Sequence, residues 1–538
     1  MLVAGLLAAI GLLRLFYLLE FGDFVFQSGD TKFFIRYARE ISAGDLFLRG
    51  QSLLFSPLYA YFLAAVLALA GENFQAVLLV QYAISLVSAY LLYRLSRDLF
   101  GTLAGLFTLV LYLFNGMILL FDSQLLDTIF SILLPSAALL LLHRAPVTGR
   151  RRQWFAAGIF LGLLALTRPN AMLFFPLAAA WALMAGRAGA SVLRRLVPAG
   201  LVAAGAALCI LPFTVRNLVV TGEPVLITAH GGINFYVGNN EQATGFFTPP
   251  HGMPPLPGTF NLEVPRRVAE AQTGRRGMSD SEVSGYWFGR GMDWIRKNPG
   301  DFLALTGKKA RAFLNGYEVS LNFDAAYLRQ ISWSLKIAFL PLAVLLPLGL
   351  AGMVLAGRWW RTHVLFYAFF FSYAVSVVLF FITARYRLPV VPILLVYGGF
   401  TLRTALAWLV RPVRLALLAA ALILAGLLLN TDLGIHFKPG LVAHSRGYLL
   451  ECMGRTEQAI EQYEEALRHD QGLSLSHLHL ARIHGRRGEN EKAWGHYLGA
   501  RRISPDDPAL QREMALFSAH LRRLAGAGPA DEPGKGAQ

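Results

Sequence analysis

The chain has 538 residues, of which 55% are hydrophobic and only 15% are charged, and its mean hydropathy is +0.49. Soluble domains carry about a quarter of charged residues, so this composition excludes an ordinary soluble enzyme. The formal net charge of +16 lies largely in short clusters between apolar segments, such as 150–152 and 194–195. This is the positive-inside pattern of cytoplasmic loops, and it indicates membrane lipid rather than nucleic acid as the partner of the basic residues.

Eleven apolar segments approach the length of about 20 residues that a helix needs to cross the bilayer. They are 1–20, 73–93, 101–121, 124–142, 154–167, 171–186, 196–213, 333–356, 363–382, 388–409 and 414–430. The first lacks a basic n-region and a small-residue cleavage site, so we interpret it as a retained helix and not as a signal peptide. The predicted fold is an all-α polytopic membrane protein with about 11 transmembrane helices.

The apolar stretch 58–70 is too short for an ordinary span. If it crossed the membrane, the Arg-rich loops at 150–152 and 194–195 would fall outside. An interfacial or re-entrant helix instead leaves nearly every basic loop inside, and the charge bias favours this arrangement.

This topology, with the N-terminus inside, leaves two long segments on the outer side. The first outer loop covers 21–72, and a larger outer loop covers 214–332. The larger loop has helical candidates at 281–298 and 301–315, which we expect to pack over the outer mouth of the helix bundle. The membrane domain extends over 1–432, and the chain that follows it is extracytoplasmic.

The C-terminal tail contains an internal repeat with a period of 34 residues. Gly454, Ala459, Tyr463 and Ala466 recur as Gly488, Ala493, Tyr497 and Ala500. This period and the alternation of small and aromatic residues predict tetratricopeptide repeats over 440–525, with 508–524 as the capping helix, although a generic helical hairpin also fits. Such a unit presents a concave surface for a protein partner. The composition of 526–538 predicts disorder.

Asp30 follows the first span and precedes a predicted helix over 31–42. A carboxylate at the membrane surface can take a proton from an attacking hydroxyl as general base. It can equally cap the helix without any chemistry. Asp122 and Asp127 flank the outer end of another span, where an ionisable residue is a functional candidate, and a functional role is favoured for Asp122. Stabilisation of a helix start is the alternative for both.

Four arginines lie at the outer ends of spans, against the positive-inside bias: Arg168, Arg216, Arg385 and Arg387. Guanidinium groups bind phosphate oxygens in a fork geometry. They can also extend towards lipid headgroups without binding a substrate.

Several short motifs occur in order over about residues 1–400. They are Arg14, Asp30, Tyr37-Ala38, Gly44, Ser56-Pro57-Leu58-Tyr59, Ala165-Leu166-Thr167-Arg168-Pro169, Val215-Arg216-Asn217, the stretch 231–240, and Ala384-Arg385-Tyr386-Arg387-Leu388-Pro389. Together with the topology, this series resembles the GT-C membrane glycosyltransferases. The resemblance is greatest to the dolichyl-phosphate-mannose protein mannosyltransferases and their bacterial relatives, which include aminoarabinose transferases.

The resemblance implies a donor in which a sugar is linked to a polyprenyl phosphate, with Asp30 as the catalytic residue. It favours Arg385 and Arg387 for the donor phosphate. Further substrate-binding candidates are Arg168, Arg216, Asp122, Tyr37 and Tyr59. Many relatives carry Asp-Glu where this chain has Asp30-Thr31, so a role for a second adjacent carboxylate is not expected. A divalent metal is left open, since the sequence does not require one.

We therefore predict a multi-pass glycosyltransferase of a bacterial inner membrane that transfers a sugar to an acceptor hydroxyl of a protein, glycan or lipid on the extracytoplasmic side. One alternative is an O-antigen ligase or polymerase that uses a diphosphate-linked donor. A lipid-linked sugar transporter or flippase, which would need inverted repeats and a midplane site, and a non-catalytic scaffold for the repeats are the others. The sequence has no P-loop, HExxH or CxxC motif.

Overall fold

The computed structural model describes residues 1–21, 29–49, 53–184, 192–248, 263–318, 325–434, 439–505 and 507–524. These residues form helices and no β-strand, which confirms the predicted all-α class. Two isolated bridges join Asn115 to Leu340 and Phe246 to Ile382. The chain divides into two compact units, Met1–Leu433 and Gly434–Gln538. The predicted disordered tail, 526–538, lies outside the described residues.

The described residues of the first unit form 21 α-helices. It begins with α1 (Leu2–Phe21), α2 (Gly29–Ser42), α3 (Pro57–Ala70), α4 (Phe74–Phe100), α5 (Thr102–Leu113), α6 (Gly116–Asp122), α7 (Phe130–Thr148), α8 (Arg151–Thr167), α9 (Phe175–Met184) and α10 (Val192–Thr221). It continues with α11 (Gly231–Gly238), α12 (Glu263–Thr273), α13 (Asp280–Lys297), α14 (Pro299–Phe313), α15 (Ala325–Ile331) and α16 (Trp333–Ile337). It ends with α17 (Leu342–Ala356), α18 (Trp360–Val378), α19 (Ala384–Arg387), α20 (Val391–Ala407) and α21 (Pro412–Leu429). Short 3-10 helices lie at Asp127–Ile129, Pro169–Phe174, Gly357–Trp359 and Leu388–Val390.

Seven helical segments in the described part of the chain are long and apolar enough to cross a membrane. They are Leu2–Phe21, Phe74–Phe100, Asp127–Thr148, Arg195–Thr221, Leu342–Val378, Ala384–Ala407 and Pro412–Leu429. Shorter apolar helices occupy Pro57–Ala70, Thr102–Leu113 and Pro169–Met184. The chain is an integral membrane protein, and the number of eleven spans stays a prediction.

Two of the predicted spans are interrupted, and both interruptions lie at one place. The segment 101–121 breaks before α6 because the Asn115 side chain accepts a hydrogen bond from the Ile118 N–H at 3.0 Å and so starts a new helix. The segment 333–356 divides into α16 and α17, which begins after Pro341. The Leu340 N–H donates to the Phe114 carbonyl at 2.7 Å, which joins the two breaks.

Small residues allow close packing of α8 and α10. A Cβ added at Gly158 would meet the Val202 carbonyl oxygen at 2.1 Å, and one added at Gly205 would meet the Phe155 carbonyl oxygen at 2.2 Å. Glycine is therefore required at both positions, as is common where membrane helices cross.

The helices between α10 and α17 include α13 and α14, which lie close to the predicted helices 281–298 and 301–315. Helix α13 begins with a capping box formed by Ser279 and Glu282. It packs on α11, where a Cβ at Gly232 would meet the Ser284 carbonyl oxygen at 1.8 Å. Buried apolar residues fill this contact: Ile233, Val237, Val283, Trp287 and Phe381. Because Phe381 follows α18, the core fixes α11 beside the α18–α19 junction.

In the part of the second unit that the structure describes there are five helices: α22 (Pro439–Cys452), α23 (Thr456–His469), α24 (Ser474–Arg486), α25 (Asn490–Ile503) and α26 (Pro508–Leu524). Residues of the predicted repeat occupy buried positions on α23 and α25. They are Ala459, Tyr463 and Ala466 on the first, and Ala493, Tyr497 and Ala500 on the second, and none is more than 4% exposed. The assignment to tetratricopeptide repeats stays a prediction.

Candidate functional site

A cavity of about 240 Å³ lies beside α2, the N-terminal end of α11 and the α18–α19 junction. Its polar lining includes Asp30, Ser56, Asp127, Arg168, Asn170, His230, Asn234, Ser376 and Arg385. Aromatic side chains supply much of the rest: Phe34, Phe55, Phe247, Phe380, Phe381 and Tyr386. An apolar pocket with a few convergent polar groups is the usual form of a small-molecule site.

Asp30 reaches the cavity from the first turn of α2 and is only 6% exposed. Its Oδ2 accepts a hydrogen bond from Arg385 Nη1. Arg385 belongs to the short helix α19, where the Thr383 side chain accepts a hydrogen bond from the Tyr386 N–H at 3.4 Å. Two of the sequence-predicted residues, 355 positions apart, therefore form one ion pair inside the cavity.

A second ion pair lines the same cavity. Arg168, which follows α8, donates to the two carboxylate oxygens of Asp127 at 2.6 and 2.9 Å. The side chains are 8% and 7% exposed. This is the bidentate arrangement in which guanidinium and carboxylate bind each other most strongly.

Tyr386 connects the two pairs. The guanidinium carbon of Arg385 lies 5.2 Å from the centre of the Tyr386 ring, and that of Arg168 lies 5.8 Å from it. These distances are within the range of cation–π attraction. Asp30, Arg385, Tyr386, Arg168 and Asp127 thus form one continuous network along the wall of the cavity.

His230 adds a neutral imidazole to the lining. Its Nδ1 lies 2.8 Å from the Leu54 carbonyl oxygen, which can only accept, so we assign the ring proton to Nδ1. Burial lowers the pKa of His230. The ring of Phe55 contacts it edge-on at a centroid distance of 5.6 Å.

Asp122 lies elsewhere. It accepts hydrogen bonds from Arg14 at 2.7 and 3.1 Å and from Ser85 at 2.5 Å, and it is 3% exposed. These contacts join α1, α4 and the end of α6. Tyr59 belongs to the same network, because it donates to Gln81 at 2.7 Å and Gln81 donates to the Asp122 carbonyl oxygen at 2.8 Å.

The remaining predicted site residues bind the backbone. Arg387 donates to four carbonyl oxygens, those of Ala312, Phe313, Asn315 and Tyr317. Arg216 donates to the carbonyl oxygens of Phe47 and Leu48. Tyr37 accepts from the Leu54 N–H at 3.4 Å.

The structure therefore brings together three of the eight predicted site residues, Asp30, Arg168 and Arg385, and does not bring the other five into the cavity. Sequence reasoning did not select Asp127 and Tyr386 for the site. Signals for both were available, since Asp127 flanks a span like Asp122, and Tyr386 lies between two outer-end arginines.

The described side chains do not form a metal site. Among the described residues, no group of three or more His, Cys, Asp and Glu side chains is arranged to hold a metal ion. Asp30 and Asp127 each bind a guanidinium group. Both carboxylates of the cavity are therefore bound to guanidinium groups in this structure.

This site belongs to a helical membrane protein in which carboxylates and guanidinium groups meet in one partly enclosed cavity. Residues 55–215 match the model of the dolichyl-phosphate-mannose-protein mannosyltransferase family. The match confirms the resemblance to GT-C glycosyltransferases that the motifs indicated. The matched stretch contains Asp127 and Arg168, and it contains neither Asp30 nor Arg385.

Two solved structures of the archaeal oligosaccharyltransferase from Archaeoglobus fulgidus are similar to the chain. The complex with Zn and sulfate is 16% identical with a TM-score of 0.45, and the matched region covers 86% of this chain and 56% of that one. The complex with an inhibitory peptide and a dolichol-phosphate is 15% identical with a TM-score of 0.44, and covers 86% and 59%. This chain thus spans a little over half of their length. No curated protein matches the chain in sequence.

Proposed function

We propose that this protein is a membrane glycosyltransferase that moves a sugar from a polyprenyl-phosphate donor to an acceptor hydroxyl at the outer face of the bilayer. The observation that carries the proposal is the Asp30–Arg385 ion pair inside the cavity. In this pair a candidate base lies beside a candidate phosphate-binding group, so one bound sugar-phosphate could contact both side chains. The family match over 55–215 agrees with this chemistry.

Asp30 acts as the base in this proposal. Its carboxylate takes the proton of the acceptor hydroxyl while the hydroxyl oxygen attacks the sugar carbon that is bonded to phosphate. The new carbon–oxygen bond forms as the bond to the phosphate oxygen breaks, and the electron pair leaves with the polyprenyl phosphate. Single displacement inverts the configuration of the sugar carbon.

Arg385 stabilises the leaving group. The phosphate of the donor carries one negative charge, and the departing polyprenyl phosphate develops a second. A guanidinium group that is already in the cavity stabilises this charge without reorganisation of solvent. The aromatic lining from Phe34, Phe55 and Phe247 limits access of water, which would otherwise hydrolyse the donor.

The identity of the acceptor and the membrane that contains the protein are more specific proposals. We propose a protein or glycan acceptor in the inner membrane or envelope of a bacterium, with the second unit outside the cytoplasm as a recruiter. Deletion of 440–538 should then preserve transfer to a small acceptor and reduce transfer to the native one. Loss of both activities in a well-folded truncation would contradict recruitment as the role of this unit.

The proposal is tested with membranes that contain the wild type or Asp30→Asn and a panel of polyprenyl-phosphate sugars. We expect Asp30→Asn to lower turnover by about 10²–10⁴, the usual contribution of a positioned base. Asp45→Asn is the matched control, because Asp45 follows α2 and accepts from the Arg49 N–H at 2.8 Å without lining the cavity. Equal turnover of the wild type and Asp30→Asn would remove Asp30 as the base. Turnover of diphosphate-linked donors alone would favour the ligase alternative.

A further inference from the structure

The two ion pairs of the cavity differ in how firmly they are held. Asp127 binds two nitrogens of Arg168, and both side chains are at least nine-tenths buried. Asp30 binds one nitrogen of Arg385, whose side chain is 17% exposed. Because a bidentate, buried pair is the stronger one, Asp30–Arg385 is the pair that opens more readily.

Arg385 also has unused binding capacity. Its Nε is buried and has no hydrogen-bond partner in the described part of the chain, as is also true of Arg168 Nε. A phosphate oxygen can accept from this nitrogen and from a terminal one at the same time, in the fork geometry that guanidinium groups favour. The resting contact with Asp30 therefore does not satisfy this guanidinium group.

The resting pair conflicts with the proposed chemistry. Asp30 Oδ2 accepts a hydrogen bond from Arg385 in this structure, so that oxygen is not available to an acceptor hydroxyl. The transfer step nevertheless needs Asp30 to take a proton. Arg385 must therefore change its partner before the acceptor hydroxyl reacts.

We propose that the donor phosphate displaces Asp30 from Arg385 and so frees Asp30 to act as the base. This inference rests on the proposed function. Arg168 stays bound to Asp127, so one guanidinium group is available for exchange, and it matches the single negative charge of a sugar-linked monophosphate. Donor binding then precedes activation of the acceptor, and Asp30 remains inactive as a base while no donor is bound.

Tyr386 is a positioning residue for this exchange. Its ring contacts the guanidinium groups of both Arg385 and Arg168. Contact with the ring face does not depend on a carboxylate. Arg385 can therefore pass from Asp30 to phosphate while Tyr386 keeps it beside the fixed pair. Tyr386→Phe should preserve the order of binding, and Tyr386→Leu should raise KM for the donor more than it lowers kcat.

The exchange makes Asp30 a competitor of the phosphate for Arg385. The full-length protein in detergent is titrated with polyprenyl phosphate that carries no sugar, so that no turnover occurs. We expect Asp30→Asn to bind this lipid about tenfold more tightly than the wild type, since the competing ion pair is absent. Asp45→Asn should bind like the wild type, and Arg385→Gln should bind much more weakly. Equal or weaker binding by Asp30→Asn would overturn the exchange.

A second measurement uses the wild type alone, in case Asp30→Asn does not fold. Hydrophobic carbodiimides react poorly with a carboxyl group that is held in an ion pair, and the modified residues are identified by peptide mass spectrometry. Saturating polyprenyl phosphate should increase labelling of Asp30 several-fold, while Asp127 serves as the internal control and stays unchanged. Unchanged or reduced labelling of Asp30 would contradict the proposal.

These tests separate the exchange from the proposed function. Loss of turnover in Asp30→Asn without tighter lipid binding would leave the transferase proposal standing and overturn the exchange. Tighter binding with full turnover would remove Asp30 as the base while the competition for Arg385 remained true.

Discussion

Two aspartate–arginine pairs illustrate how the surroundings decide the role of the same chemistry. Asp30 and Arg385 meet at the wall of a cavity that a small molecule can enter. Asp122 and Arg14 meet between helices, where the arginine is 1% exposed and Ser85 completes the contacts of the carboxylate. Both aspartates lie near the outer ends of apolar segments, so their positions in the sequence do not show which one belongs to a reactive site.

The difference shows that access to a cavity indicates function better than the presence of charge. The Asp122 carboxylate accepts three hydrogen bonds from protein donors. The Asp30–Arg385 pair borders open space, and one nitrogen of its arginine has no described partner. We interpret Asp122–Arg14 as an ion pair that holds helices together, and Asp30–Arg385 as part of a reactive site.

The largest effect is expected on stability, when the structural ion pair of Asp122 and Arg14 is broken. Asp122→Asn leaves the buried Arg14 charge without its partner, which costs about 3–5 kcal/mol in the free energy of unfolding. Thermal unfolding in detergent measures this loss, and turnover per folded molecule should be unchanged. A stable but inactive Asp122→Asn would instead assign this residue to the substrate site.

The opposite result is expected for Arg385→Gln. Turnover should fall by about 10²–10³, the usual cost of removing one group that stabilises transition-state charge. The thermal midpoint should fall less than in Asp122→Asn, because the Asp30 carboxylate that loses its partner borders the cavity and can be hydrated there. A large drop in the thermal midpoint with normal turnover would show that the Asp30–Arg385 pair is structural and not catalytic.

Arg387 provides a matched comparison two residues further along. Arg387→Gln removes the donor to carbonyl oxygens at the end of α14 and just after it, and an unsatisfied buried group costs about 1–3 kcal/mol. We expect lower thermal stability and normal donor affinity. Weaker binding of polyprenyl phosphate by a well-folded Arg387→Gln would return this residue to the donor site.

The smallest effect concerns the second unit at low pH. Burial lowers the pKa of His444 to about 3 and that of His496 to about 4. Below the unfolded pKa of about 6.5 the unfolded chain binds protons that the folded unit does not, so stability is complete above pH 6.5 and falls below it. For His444 the slope is about 1.4 kcal/mol per pH unit.

Hydrogen exchange of 439–524 in the full-length protein measures this loss. His444→Asn should weaken the pH dependence of exchange, while His520→Gln, a change at an exposed position on α26, should not. Exchange that is independent of pH between 7 and 5, after correction for the intrinsic rate, would contradict the expected destabilisation.

The sequence predicted the helical fold well because apolar length and turn residues act locally. It located α13, α14 and α26 to within two residues. It did not predict the break at Asn115, because an apolar segment conceals one capping residue. The contact of Leu340 with Phe114, which joins this break to the one before α17, is a tertiary contact that hydropathy does not encode.

The site was predicted less completely. Asp30, Arg168 and Arg385 were found because motif order and the outer ends of spans marked them. The sequence could not choose Asp127 over Asp122, since both flank the same span, and only packing directs one to the cavity and the other to Arg14. In the same way, only the structure shows that Arg387 binds carbonyl oxygens.

A double-mutant cycle on Asp30 and Arg385 tests the central claim most directly. The quantity measured is kcat/KM for a polyprenyl-phosphate sugar in the wild type, Asp30→Asn, Arg385→Gln and the double variant. If the two side chains act in one transfer step, the double variant should be little slower than the slower single variant. Losses that multiply fully would show that the residues act independently and would contradict a shared catalytic site.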